Sequence, residues 1–239
     1  MIAIIPAAGK GTRMAEVTQG KSKELLPLGS RTVVDRILDE AIAAGAAGVM
    51  LVNHPDKHDM DTWVRDHQSV SLAYQREQLG LAHAIACASA AEDVLIQLGD
   101  TVYWGGSPAT RLVDSLALAD GAIAVEPISD AEVHLYGIVE FDSDGVITRI
   151  LEKPTVDETQ SRWAVAARYV LSGELMQLLP EWLEPILQNS KKEVALTPFL
   201  NHCIHAGHRL VAVPLLANEQ RTDCGSPEEY REALLKKWD

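Results

Sequence analysis

The chain has 239 residues, 47% of them hydrophobic, and a formal net charge of −13. That length and apolar fraction are enough for one large core, and the acidity disfavours nucleic acid and anionic membrane as partners, because both repel the protein at long range. Three scattered cysteines (Cys87, Cys203 and Cys224) lack CxxC spacing, which fits a reducing cytoplasm better than a disulfide framework. No apolar run approaches the roughly 20 residues a bilayer requires. Met1 leads directly into Ile2-Ala3-Ile4-Ile5 with no basic n-region, so no signal peptide is expected and a cytoplasmic location is.

In chain order, Ile2–Ile5, Val49–Val52 and Val94–Leu98 read as buried strands, short, aliphatic and bounded by Gly, Pro, Asn or Asp. Between them Thr32–Ala44, Pro55–His67 and Leu79–Ala91 carry helical periodicity, with Thr32 and Asp56 as expected N-caps. Alternating β and α elements predict a largely parallel, doubly wound sheet whose ligands sit at the carboxyl ends of the strands. Further on, Ala122–Glu126, Tyr136–Phe141, Val146–Leu151 and Trp163–Leu171 read as strands, with a hairpin turn at 142–145. Gly173–Leu179, Leu196–Ala206 and Pro227–Lys237 read as helices, the last capped by Ser226 with Pro at its first position. No linker or repeat interrupts the chain. One domain over 1–239 is expected, with a nucleotide half over about 1–120 and a half completing the site over about 121–239.

The sharpest local signal is Pro6-Ala7-Ala8-Gly9-Lys10-Gly11-Thr12-Arg13-Met14, directly after the first strand. Glycines there admit phosphate oxygens to backbone N–H groups, and arginine adds bidentate charge. A Walker loop would need GxxxxGK[ST], which is absent. A dinucleotide fingerprint would need a third glycine where Met14 stands. A plain strand-to-helix turn accounts for the glycines but explains Lys10 and Arg13 less well. Lys21-Ser22-Lys23-Glu24-Leu25-Leu26-Pro27-Leu28 follows; alone, it is an ordinary charged loop entering an apolar segment.

Together these two segments resemble the sugar-1-phosphate nucleotidyltransferases. Within them the chain is most similar to the bacterial UTP–glucose-1-phosphate uridylyltransferases, and next to the glucose-1-phosphate thymidylyltransferases. Later motifs recur in the expected order: Gln75 with Leu79-Gly80-Leu81-Ala82-His83-Ala84, then Leu98-Gly99-Asp100, Tyr136-Gly137-Ile138-Val139, Leu151-Glu152-Lys153-Pro154, Ala167-Arg168-Tyr169-Val170-Leu171 and Thr222-Asp223-Cys224-Gly225. The resemblance implies an α/β Rossmann-like doubly wound mixed sheet of the nucleotide-diphospho-sugar transferase type. It also implies an in-line attack of a sugar phosphate oxygen on the α-phosphorus of a nucleoside triphosphate, with pyrophosphate leaving.

Such a step needs positioning and charge compensation more than covalent help. The resemblance places Gly9, Gly11 and Thr12 along the phosphates, Arg13 on the leaving pyrophosphate and Lys23 on the α-phosphate. Ala8, Gln75 and Gly80 are implied at the base, and Glu24 beside the nucleotide. Asp100 and Asp223 are the implied ligands of Mg2+, a cation that takes oxygen donors. Gly137, Glu152, Lys153, Ala167, Arg168 and Glu193 are assigned to the sugar phosphate. The family usually has glycine where Ala167 stands and aspartate where Pro198 stands, and the chain looks trimmed around 66–75 and 100–110. UTP and glucose 1-phosphate are the favoured pair, with dTTP next. A cytidylyltransferase or another sugar nucleotidyltransferase of this fold, and a non-catalytic nucleotide-sugar sensor, stand as alternatives. Homo-oligomers are common in the family, and the sequence locates no interface.

Overall fold

In the computed structural model, which describes residues 1–190 and 192–239, the chain begins with β1 (Ile2–Pro6), a 3-10 turn at Thr12–Met14 and the short α1 (Ala15–Thr18). A second 3-10 turn, Lys23–Leu25, precedes β2 (Pro27–Leu28), β3 (Arg31–Thr32), α2 (Val33–Ala43), β4 (Val49–Asn53), α3 (His58–Arg65) and β5 (Val70–Tyr74). Next come α4 (Leu81–Cys87), β6 (Val94–Gln97), β7 (Thr101–Trp104), α5 (Ala109–Ser115) and β8 (Gly121–Pro127). The remainder is β9 (Gly137–Phe141), β10 (Ile147–Glu152), β11 (Trp163–Leu171), α6 (Gly173–Asn189), α7 (Thr197–His205), β12 (Leu210–Pro214), β13 (Gln220–Asp223) and α8 (Pro227–Leu234).

The main sheet runs β10-β9-β11-β6-β1-β4-β5, with β8 pairing β11 and β12 pairing β8. From β6 through β1 and β4 to β5 the strands are parallel, whereas β11 joins β6 antiparallel, so the sheet is mixed. The chain leaves β1 towards β4 and β5 on one side and returns to β6 on the other. That reversal opens a crevice at the carboxyl ends of β1 and β6. Residue alternation gives each strand two apolar faces. Ile4, Ile96 and Tyr169 pack with Leu175, Leu179 and Phe199 on one side. Ala3, Ile5, Leu51 and Leu95 pack with Ile37, Met60 and Tyr230 on the other.

Local signals set several boundaries. Thr32 caps α2 through a capping box with Asp35, and Ser226 accepts from the Glu229 N–H ahead of α8. Asp56 does not cap α3: the helix starts two residues later, after Lys57, whose side chain is drawn inward. Helix α6 continues past Leu179 through Pro180 and Pro185 to Asn189. A proline costs a helix one hydrogen bond and a local bend, and the packing of Leu179 and Leu183 into the core outweighs that here. The stretches that look trimmed contain strands, β5 at the sheet edge and β7 paired with β13.

Gln97 ends β6 with neither amide atom hydrogen-bonded among the described residues, and both atoms are buried. Leaving such a group unsatisfied costs about 1–3 kcal/mol. Gln97→Met is therefore expected to raise Tm, with a gain on the order of 1 kcal/mol; a lower Tm would show that the amide is satisfied.

Candidate active site

The crevice holds a cavity of about 760 Å³ lined by Ala8, Gly9, Gly11, Thr12, Arg13, Lys23, Glu24, Gln75, Gly80, Asp100 and Glu193, with Gln78, Leu81 and Gly225 among its other walls. The glycine loop enters it directly from β1. Gly11 has φ 61°, a left-handed backbone that disfavours any residue with a Cβ. The next residues close a 3-10 turn, with the Met14 N–H donating to the Gly11 carbonyl at 2.9 Å. Met14 is fully buried. The position that would carry the third glycine of a dinucleotide loop thus anchors this one to the core.

Three supports come from distant parts of the sequence. The Lys57 ammonium donates to the Ala7 carbonyl at 2.6 Å and to Glu24 Oε2 at 2.7 Å. Glu24 is 1% exposed, and burial pushes its carboxyl up despite the opposing pull of Lys57 and Lys23. Although it borders the cavity, its carboxylate is committed to Lys57 and acts on the loop from below. Gln78 Nε2 donates to the Ala8 carbonyl at 2.8 Å. None of these contacts has a local sequence signal.

Lys23 follows a fixed point. The Ser22 N–H and hydroxyl donate to the two oxygens of Asp59, both at 2.7 Å. Burial opposes ionisation of Asp59, but these bonds outweigh it and hold the carboxyl below its ordinary value. A lowered folded pKa gives stability that is present above the unfolded pKa and lost as pH falls through the folded one. The stability difference between wild type and Asp59→Asn should therefore shrink on acidification below about pH 4. Urea midpoints across acidic pH test this, and a difference independent of pH would refute it.

Lys23 Nζ lies 2.5 Å from Asp100 Oδ2. Burial alone would push Asp100 up; the Lys23 ammonium more than compensates and keeps the carboxylate ionised. Reciprocally, burial would lower Lys23, but Asp100 and Glu24 hold it above its ordinary value. Arg13 converges on the same point: a Cβ placed on Gly225 would be 3.3 Å from Asp100 Oδ2 and 3.5 Å from Arg13 Nη2.

Asp223 is brought alongside by the β7–β13 pair, where it stands opposite Thr101, and the Cys224 N–H donates to the Asp100 carbonyl at 2.7 Å. Its carboxylate accepts from the Thr101 hydroxyl at 2.9 Å and pairs with Arg221 at 3.1 Å. Arg221 is held in turn by Glu126 and by the face of Tyr136. Burial pushes Asp223 up, Arg221 opposes that, and the Asp100 and Glu229 charges add to it. Two neighbouring carboxylates whose negative fields reinforce each other make a hard-oxygen donor set that suits a divalent cation.

Gly80 leads into α4 with φ 91°, and a Cβ there would lie 2.4 Å from the Val194 backbone. The Ala82 N–H donates to the Val194 carbonyl, and the Val194 N–H to Leu79. This close approach carries Glu193 into the wall of the same cavity as Gln75 and Asp100.

Gly137 and Glu152 face each other across β9 and β10. Glu152 Oε2 accepts from the Thr197 hydroxyl at 2.6 Å, and the Lys153 N–H donates to the Tyr136 carbonyl. Glu152 and Lys153 are exposed. Ala167 sits at an irregularity in β11 with φ 57°, and its carbonyl faces the Leu98 N–H that precedes Asp100. That backbone favours glycine, which accounts for the residue expected there.

Arg168 is a correction. The next residue along the strand points through the opposite face of the sheet. Its guanidinium is 0% exposed, binds both oxygens of Glu40, donates to the Thr101 and Ala167 carbonyls, and lies over the Tyr103 ring. No part of it is open to a ligand; it ties α2 to β7 and β11.

A doubly wound sheet with a glycine loop, a lysine and a carboxylate at its switch point, and a second carboxylate nearby in an adjoining pocket, defines an α/β nucleotide-binding transferase. The chain belongs to the nucleotidyl transferase family, whose profile matches residues 2–238, and it is an enzyme of that type. A UTP–glucose-1-phosphate uridylyltransferase of Mycoplasma pneumoniae is 29% identical over 246 residues, covering 88% of this chain and 83% of that protein. One from Haloferax volcanii is 26% identical, covering 98% and 95%. A solved structure of UDP-glucose pyrophosphorylase complexed with UDP-glucose superposes with a TM-score of 0.82 at 25% identity, covering 98% of this chain and 97% of that one.

Proposed function

We propose that the protein transfers a uridylyl group from UTP to a sugar 1-phosphate, glucose 1-phosphate being the favoured acceptor, with release of pyrophosphate. The observation that carries this reading is the convergence of the glycine loop, Arg13, the Lys23–Asp100 pair, Gln75 and Gly80 on one cavity. The names of the relatives support the choice of UTP and glucose.

In this reading an oxygen of the sugar phosphate attacks the α-phosphorus while the bond to the β-phosphate oxygen breaks, and inversion carries the nucleotidyl group to the acceptor. The loop amides and Thr12 hold the phosphates, Lys23 compensates charge on the transferring group, and Arg13 compensates it on the leaving pyrophosphate. Asp100 and Asp223 are the carboxylates we assign to magnesium, which when bound neutralises and polarises phosphate oxygens. Glu152 would accept from sugar hydroxyls, Lys153 would hold the acceptor phosphate, and Gly137 and Ala167 would border the ring. The first half of the chain then serves the nucleotide and the second the sugar.

The test is pyrophosphate release with magnesium, for UTP, dTTP, CTP, ATP and GTP against several sugar 1-phosphates. Release requiring both UTP and glucose 1-phosphate supports the proposal. A folded protein silent with every pair refutes it.

A further inference from the structure

We infer that His83 is a positioning residue that fixes the Gln75 amide with its oxygen towards the base, so that uracil is preferred to cytosine. The inference rests on the nucleotide reading above, in which a pyrimidine lies against Gln75.

Gln75 follows β5 and is 4% exposed. Its Nε2 lies 2.9 Å from the Gly80 carbonyl and 3.1 Å from His83 Nδ1. A carbonyl only accepts, so the atom facing Gly80 is the amide nitrogen, and this contact sets the orientation that a second one reinforces. The second hydrogen of that nitrogen is directed at His83 Nδ1. That makes Nδ1 the acceptor and leaves the ring proton on Nε2, which lies 3.7 Å from Cys87 Sγ one turn further along α4. The Gly80 anchor cannot drift, because the Val194 backbone closes on it.

Both amide hydrogens are therefore spent inside the protein. The amide oxygen accepts no hydrogen bond among the described residues, and Gln75 lines the cavity. An acceptor there pairs with the ring N3–H of uracil or thymine. It opposes cytosine, whose N3 is itself an acceptor. With His83 gone, the Gly80 carbonyl holds the amide alone, the second amide hydrogen loses its acceptor, and the turned state that offers a hydrogen to the base becomes less unfavourable by about one hydrogen bond.

The experiment measures equilibrium binding of UDP and CDP to wild type, His83→Phe and His83→Asn, with kcat/KM for UTP and CTP alongside. Phenylalanine keeps the ring volume and removes the acceptor; asparagine presents Oδ1 near the place of Nδ1. The ratio of UDP to CDP affinity should fall about five- to tenfold in His83→Phe, one neutral hydrogen bond's worth, and persist in His83→Asn. His83→Ala serves as the second variant should phenylalanine disturb α4, with circular dichroism verifying the fold. Equal weakening for both nucleotides, or an unchanged ratio, would overturn the inference. Wild-type protein that binds neither nucleotide would instead overturn the nucleotide reading itself.

Discussion

Lys23→Ala is expected to lower kcat about 10²–10³-fold, with a much smaller change in KM for the triphosphate. The ammonium lines the cavity and pairs with Asp100, so its positive charge reaches both the carboxylate and an incoming phosphate. Its value is greatest when charge builds in the transition state, so the loss should appear in turnover. Removing it also leaves the Asp100 carboxylate without its counter-charge, and the Lys23 and Asp100 side chains are only 13% and 27% exposed. Asp100→Asn should give a comparable loss by the complementary route, removing a proposed cation ligand while Lys23 remains. Steady-state pyrophosphate release together with a thermal melt checks both. Near-normal turnover in a folded Lys23→Ala protein would remove this residue from the reaction.

Arg168→Leu is expected to cost about 3–5 kcal/mol of stability, because it strands the Glu40 carboxylate in the interior with no counter-charge. The folded fraction should nevertheless retain turnover within about twofold, a minor change on the kinetic scale, since the guanidinium touches no cavity residue in its hydrogen bonds or ion pair. Pairing it with Glu40→Leu should restore much of the stability by removing both buried charges. Urea unfolding gives the first quantity, and kcat per folded molecule the second. A large fall in kcat from a variant that is as stable as wild type would return Arg168 to the site.

The contrast between these two residues shows how much of the site could be read from the sequence. Lys23 lies past a glycine loop that follows the first strand directly, and Asp100 lies three residues after β6; the resemblance carried by the order of these motifs singled both out. Strand ends in a parallel sheet gather at one edge, so their order along the chain translates into proximity. Arg168 sits in an equally distinctive stretch, but which face of the sheet it enters depends on the irregularity at Ala167, and a shift of one residue reverses the side.

The same division runs through the rest of the molecule. The sequence by itself determined the alternation of β1, β4 and β6 with helices, the capped start of α2, the hairpin at 142–145 and the glycine loop after β1. All of these follow from short-range periodicity, caps and turns, whereas the charged residues expected to serve the loop were singled out by the order of the family's motifs. Only the tertiary structure decided that α6 runs on through two prolines, that β7 and β13 pair to set Asp223 near Asp100, that Glu193 lines the cavity at the glycine loop, and that Lys57 and Gln78 brace that loop. These depend on partners far apart along the chain, whose meeting is set by core packing and strand register, and no local pattern records it.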